Sequence, residues 1–147
     1  MSVPTYERKE SRLEYEQNCL KLLKTTYSKS IRFSKRETQL VVDPLVTAVR
    51  DLYAVVLHYK SLYCRKERAI IEERLSITVD VIGRCEYIHA LLNIAYERNP
   101  KKFSDSQWSY WSALVDTEIK LFEGLKKKVS EELKRFNEDK QMISTLS

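Results

Sequence analysis

Apolar residues in this chain recur at intervals of three and four, the spacing that gathers side chains on one face of an α-helix. Four segments carry the pattern. The first, about residues 10–28, places Leu13, Leu20, Leu23 and Tyr27 on one face. The second, about 34–63, runs through Leu45, Val49, Leu52, Val56, Tyr59 and Leu62. The third, about 66–97, is lined by Ile71, Leu75, Val79, Ile82, Ile88, Leu92 and Ala95. The fourth, about 105–137, carries Trp108, Trp111, Val115, Phe122, Leu125, Val129, Leu133 and Phe136. Beyond Asn137 the chain turns polar, and a flexible, fraying tail is expected.

The boundaries have their own chemistry. Ser34 and Glu37 form an S-x-x-E capping box, in which each side chain satisfies a free backbone donor of the first turn. Ser104 and Gln107 repeat it, and Asn99-Pro100 stops the third helix. Pro44 leaves two readings: a kink in one long helix, or a new helix with Asp43 as N-cap and Pro44 at its first position. Leu40 and Val41 stay in phase with the apolar positions beyond Pro44, which favours one kinked helix. Gly83 and Gly124 fall inside helices, at a cost of about 1 kcal/mol each against Ala, and predict close approach of a neighbouring helix.

Four helices joined by short connections predict an all-α fold, an antiparallel up-down-up-down four-helix bundle forming a single domain over residues 1–147. Composition agrees. Only two glycines and three prolines occur in 147 residues, too few for a turn-rich β fold. The three cysteines, Cys19, Cys64 and Cys85, are odd in number and contain no CxxC, so neither a disulfide framework nor a zinc knuckle is signalled, and a cytoplasmic setting fits. The start, "MSVPTYERKE", lacks an apolar leader segment. The most apolar stretch, residues 40–57, is interrupted by Asp43, Arg50 and Asp51, so no membrane span is expected.

Candidate chemistry is sparse. Glu86-x-x-His89 has the i, i+3 spacing of di-iron bundles, but such a site needs a second copy, and His58, the only other histidine, has Val55 three residues before it. No metal and no cofactor is expected. Gly-rich phosphate loops are absent, and the three cysteines are expected as structural or free thiols. An enzyme is not expected.

Charge is more informative. The net charge is +5, and the excess gathers around the second helix: residues 31–68 hold eight Lys/Arg against four Asp/Glu. In the predicted topology the first and third connections share one pole. That pole would collect Lys29, Arg32, Lys35, Arg36, Arg98, Lys101 and Lys102, interleaved with Phe33, Phe103 and Trp108. The seven basic residues are candidate phosphate contacts for nucleic acid, largely sequence-independent and salt-sensitive. The phenylalanines are expected as packing staples beside the caps. Nine tyrosines and two tryptophans are many for a small helical domain. Trp108, Tyr110 and Trp111 cannot all point inward, so they are the candidate protein interface, and a homo-oligomer is expected.

The succession of "LLKTTYSKS", "IRFSKRETQLVV" and "FSDSQWSYWSALVDTEIKLFEGLKKK" resembles the small four-helix bundle family that includes the accessory variability determinant of diversity-generating retroelements. The ribosomal-RNA intervening-sequence proteins are similar in shape. The resemblance implies a non-enzymatic accessory protein, a pentameric barrel with a basic surface, and reverse transcriptase and its template RNA as partners. The residues alone also fit a helical protein-interaction adaptor or self-assembling scaffold.

Overall fold

The computed structural model describes residues 13–146. Helix α1 spans Glu14–Ser30. The second rod is composite: α2, Lys35–Glu37, a π-helical turn, Thr38–Val42, and α3, Asp43–Ser61. Helix α4 spans Arg68–Arg98 and α5 spans Asp105–Leu146. No strand occurs among the described residues, and no helix there is long and apolar enough to cross a membrane.

The four rods pack as a ring, with α1 and α4 each lying against α3 and α5. Tyr15, early in α1, meets both Tyr59, late in α3, and Phe122 of α5, at ring separations of 5.5 Å. At the other pole Trp111, early in α5, meets Thr26, late in α1. Arg98, at the end of α4, meets Glu37 of α2. These contacts place the starts of α1, α2 and α5 beside the ends of α3, α4 and α1.

The core of α3 is as its spacing predicts: Leu45, Val49, Leu52, Val56 and Tyr59 are all buried. In α1 the buried stripe is Tyr15, Cys19, Leu22 and Thr26, while Tyr27, expected inside, is exposed. The expected face is turned because a polar residue sits on the true one. Thr26 donates to the Leu22 carbonyl at 2.7 Å and accepts from the Trp111 indole at 3.0 Å, which makes its burial tolerable. Likewise α4 buries Arg74, Thr78, Val81 and Cys85 among its aliphatics, and Val79 faces out.

Pro44 neither breaks the rod nor restarts it. Val42 and Asp43 both have helical backbone angles, so Asp43 is not an N-cap. The Asp43 N–H bonds the Thr38 carbonyl, five residues back. A proline ring clashes with the carbonyl four residues before it and offers that carbonyl no donor; one wider turn absorbs the misfit. The same turn shifts the phase, so Leu40 points into solvent while Val41 and Val42 are buried.

Two further expectations are corrected. Helix α5 continues through the polar segment to Leu146, where good helix formers such as Glu, Lys, Gln and Met sustain it. A Cβ placed on Gly83 or Gly124 would meet nothing within 4 Å, so neither glycine marks a close approach inside this chain.

A basic pole pinned by aromatic rings

The first and third connections meet through aromatic rings. Phe33 and Phe103 are buried and pack edge-to-face with centroids 5.7 Å apart. Phe103 continues into Trp108 at 5.2 Å, and Trp108 stacks on Trp111 at 5.7 Å. Edge-to-face pairs of this kind add about 0.5–1.5 kcal/mol beyond area burial. The two phenylalanines are thus the staples expected of them. They hold residues 31–34 and 99–104 together as one surface.

Caps set the helix starts around these rings. The Ser34 hydroxyl accepts from the Glu37 N–H. At α5 both halves of the box form: Gln107 N–H donates to Ser104 Oγ, and Ser104 N–H donates to Gln107 Oε1, each at 3.2 Å. The first box is only half made, because the Glu37 carboxylate turns to Arg98. Arg98 Nε and Nη2 reach its two oxygens at 3.0 and 2.9 Å, and Asn99 adds a third donor. This arginine clamp holds the Glu37 carboxyl below the usual range.

The seven basic candidates therefore divide. Arg98 is committed to Glu37. The Lys29 ammonium lies 4.5 Å and the Arg32 guanidinium 5.2 Å from the Phe103 centroid, so both cations sit over one ring. Burial, and then repulsion from Arg32, lowers the Lys29 pKa. Arg32, Lys35, Arg36 and Lys101 are exposed and Lys102 is half-buried. None of these five makes an ion pair among the described residues. The second connection contrasts with this: Lys60 pairs with Glu16 at 2.9 Å, Arg65 with Glu67 and Arg68 with Glu72.

The aromatic interface is corrected. Trp111 is 1% exposed and Trp108 is also inside the bundle, while Tyr110 is 53% exposed. The tryptophans face inward because they complete the staple beneath the basic pole; of the three, only Tyr110 is available to a partner. His89 Nε2 lies 2.6 Å from Asp116 and His58 3.3 Å from Glu73. Among the described residues no group of three or more His, Cys, Asp or Glu could hold a metal.

Two buried charged residues escaped the sequence reading. Glu118 is 0% exposed; Asn18 Nδ2 donates to its Oε1 at 3.2 Å, and the Cys19 thiol lies beside the carboxyl as a second donor. Burial pushes its pKa up to about 8 against the opposing bonds from Asn18 and Cys19, and burial also raises the neighbouring thiols of Cys19 and Cys85. Arg74 is buried on α4 and bonds Glu132 at 3.0 Å. The available signal was a charged residue at an apolar period: Arg74 between Ile71 and Thr78, Glu118 between Val115 and Phe122. Family models, curated proteins and solved structures give no match to this chain.

Proposed function

We propose that the protein is a non-enzymatic RNA-binding accessory protein that holds RNA phosphates at the pole formed by its first and third connections. The observation that carries this reading is the contrast between poles. Arg32, Lys35, Arg36, Lys101 and Lys102 lack carboxylate partners among the described residues, on a surface fixed by the Phe33–Phe103 contact. At the second connection three of the four basic residues are neutralised. Unpaired cations on a rigid surface release counterions from a polyanion without first breaking internal ion pairs. The resemblance to the retroelement accessory family makes a template RNA and its reverse transcriptase the partners to test, and a ring of copies the assembly.

The test is RNA affinity across a salt series. Each phosphate contact to a single strand contributes about −0.7 to the slope of log K against log salt. The chain with Arg32, Lys35, Arg36 and Lys101 all changed to Glu should lose most of its affinity for unrelated sequences alike. Undiminished binding by that variant overturns the assignment.

A second reading, a self-assembling or adaptor bundle, is favoured by a different surface. On α4, Val79, Tyr87 and Ile94 are exposed at spacings of eight and seven, with Gly83 and Ala90 lying between them in sequence. They form an apolar stripe outside the bundle. Particle mass by light scattering for Tyr87→Lys and Ile94→Lys tests it: a mass equal to that of the unmodified chain removes this stripe as an interface.

A further inference from the structure

We propose that the cleft between the second connection and α5, at the pole opposite the RNA surface, is a binding site for a small phosphate monoester carrying an apolar group. The cleft has a volume of about 480 Å³, within the span of roughly 300–1,000 Å³ usual for small-molecule sites. Lys66, Arg74, Lys128 and Arg135 all line it. Two carboxylates, Glu132 and Asp139, line it as well, and Glu132 is already held by Arg74.

Three features indicate a site rather than a charged hollow. The first is Arg74, 6% exposed: Nη1 is bonded to Glu132, but Nε has no acceptor among the described residues. A buried cation with an open donor is costly unless an acceptor is supplied. The neighbouring Tyr15 hydroxyl is also buried without a partner, and the Arg74 guanidinium lies against Tyr59, 6.0 Å from its ring, where it stabilises the tyrosine hydroxyl. Tyr15 lines a second cleft of about 390 Å³ that shares Tyr63 and Lys128 with the first. The second feature is the distribution of charge. Around this pole Lys60, Arg65 and Arg68 are paired with carboxylates, whereas Lys66, Lys128 and Arg135 in the cleft have no such pair among the described residues. The third is backbone strain. Cys64, in the cleft wall, has φ 67°, a left-handed conformation that a residue with a side chain adopts only at a cost.

The cation excess suits a dianion, and a phosphate monoester carries about −1.5 to −2 near neutral pH. Ile71, Tyr63 and Phe136 supply apolar wall beside the charges, so the ligand carries an apolar body as well as the anionic head. Arg74 offers fixed donors and Lys66, Lys128 and Arg135 offer mobile ones.

The test uses the full chain with three probes in calorimetry: phenyl phosphate, inorganic phosphate and benzyl alcohol. Cys64 gives an independent readout, since it is exposed while Cys19 and Cys85 are buried; a bound ligand should slow its reaction with a maleimide. Phenyl phosphate is expected to bind more tightly than inorganic phosphate, and benzyl alcohol not measurably. Arg135→Glu should weaken phenyl phosphate at least ten-fold and restore the labelling rate, and Arg50→Glu, exposed on α3 outside both poles, should change neither. Lys66→Glu repeats the measurement if Arg135→Glu melts early. Absence of phenyl phosphate binding at millimolar concentration overturns the proposal. So does equal loss in Arg135→Glu and Arg50→Glu, which reports net charge alone, or equal affinity for either control probe. RNA binding at the other pole is measured separately and stands or fails without this result.

Discussion

Arg98 grips Glu37 through two hydrogen bonds, tying the end of α4 to α2 just ahead of the π-helical turn. An arginine engaged at both ends of a carboxylate is not available to a phosphate without giving up that pairing. Arg98→Ala should therefore leave the salt slope of RNA binding nearly unchanged, while Lys35→Ala should reduce it by about 0.7. Equal reductions for both residues would show that the clamp opens on binding.

The same pair makes a prediction about acid. The folded-state pKa of Glu37 is depressed, so its contribution is present above the ordinary carboxylate range and is lost as pH falls through the depressed value. Thermal melts of Glu37→Gln should show a smaller loss of stability on acidification than those of the unmodified chain. Parallel curves would remove the clamp from the acid response.

Glu118 works in the opposite direction. The folded chain keeps the proton up to about pH 8, whereas the unfolded chain releases it near 4.5. Between those values the unfolded state binds fewer protons, so stability declines as pH rises, by at most about 1.4 kcal/mol per pH unit. Glu118→Gln should flatten that decline and be the more stable form at pH 8, by an amount on the order of a few kcal/mol. Urea melts at pH 5 and pH 8 decide it; an undiminished slope in the Gln variant would mean the carboxylate is solvated.

Trp111 and Tyr110 are neighbours with opposite fates. Trp111→Ala removes a buried indole and its bond to Thr26 and should cost about 3–5 kcal/mol. Tyr110→Ala should stay within about 0.5 kcal/mol. Denaturant midpoints with unchanged m-values are the measurement. A large loss at Tyr110 would mean that its ring is covered in solution.

Gly83 lies on the exposed stripe of α4, with open space where a Cβ would go. Gly83→Ala should raise stability by about 0.5–1 kcal/mol through helix propensity alone. A loss of stability that depends on protein concentration would instead place another copy of the chain against that stripe.

The fold was legible where periodicity and caps agreed. Leu45 to Tyr59 read directly as a core stripe, and Ser104 with Gln107 marked a helix start that the structure completes on both sides. Pattern failed where polar residues occupy interior positions. Thr26 on α1 and Arg74 and Thr78 on α4 belong to buried faces that apolar spacing assigns to other residues. The bonds of Thr26 and Arg74 reach Trp111 and Glu132, 85 and 58 positions away, beyond anything local spacing encodes. The meeting of the first and third connections followed from topology, but the division of labour among their cations did not. That Arg98 is spent on Glu37, while Lys35 and Arg36 are not, depends on the geometry of one carboxylate.

The turn at Thr38–Val42 has a consequence for how the two ends of its rod are aimed. A π-helical turn holds one residue more than the α-helical turn it replaces. Deleting one residue there would return the rod to ordinary winding, at about 100° of rotation per residue. The core stripe from Leu45 onward is locked by its neighbours, so the rotation would fall on the short end. Lys35, Arg36 and Glu37 would swing about a quarter turn around the axis, carrying Glu37 away from Arg98 and the two cations off the surface shared with Lys101. The extra residue is an indexing step: it lets a buried helix and a charged tip each keep their own bearing within one unbroken rod.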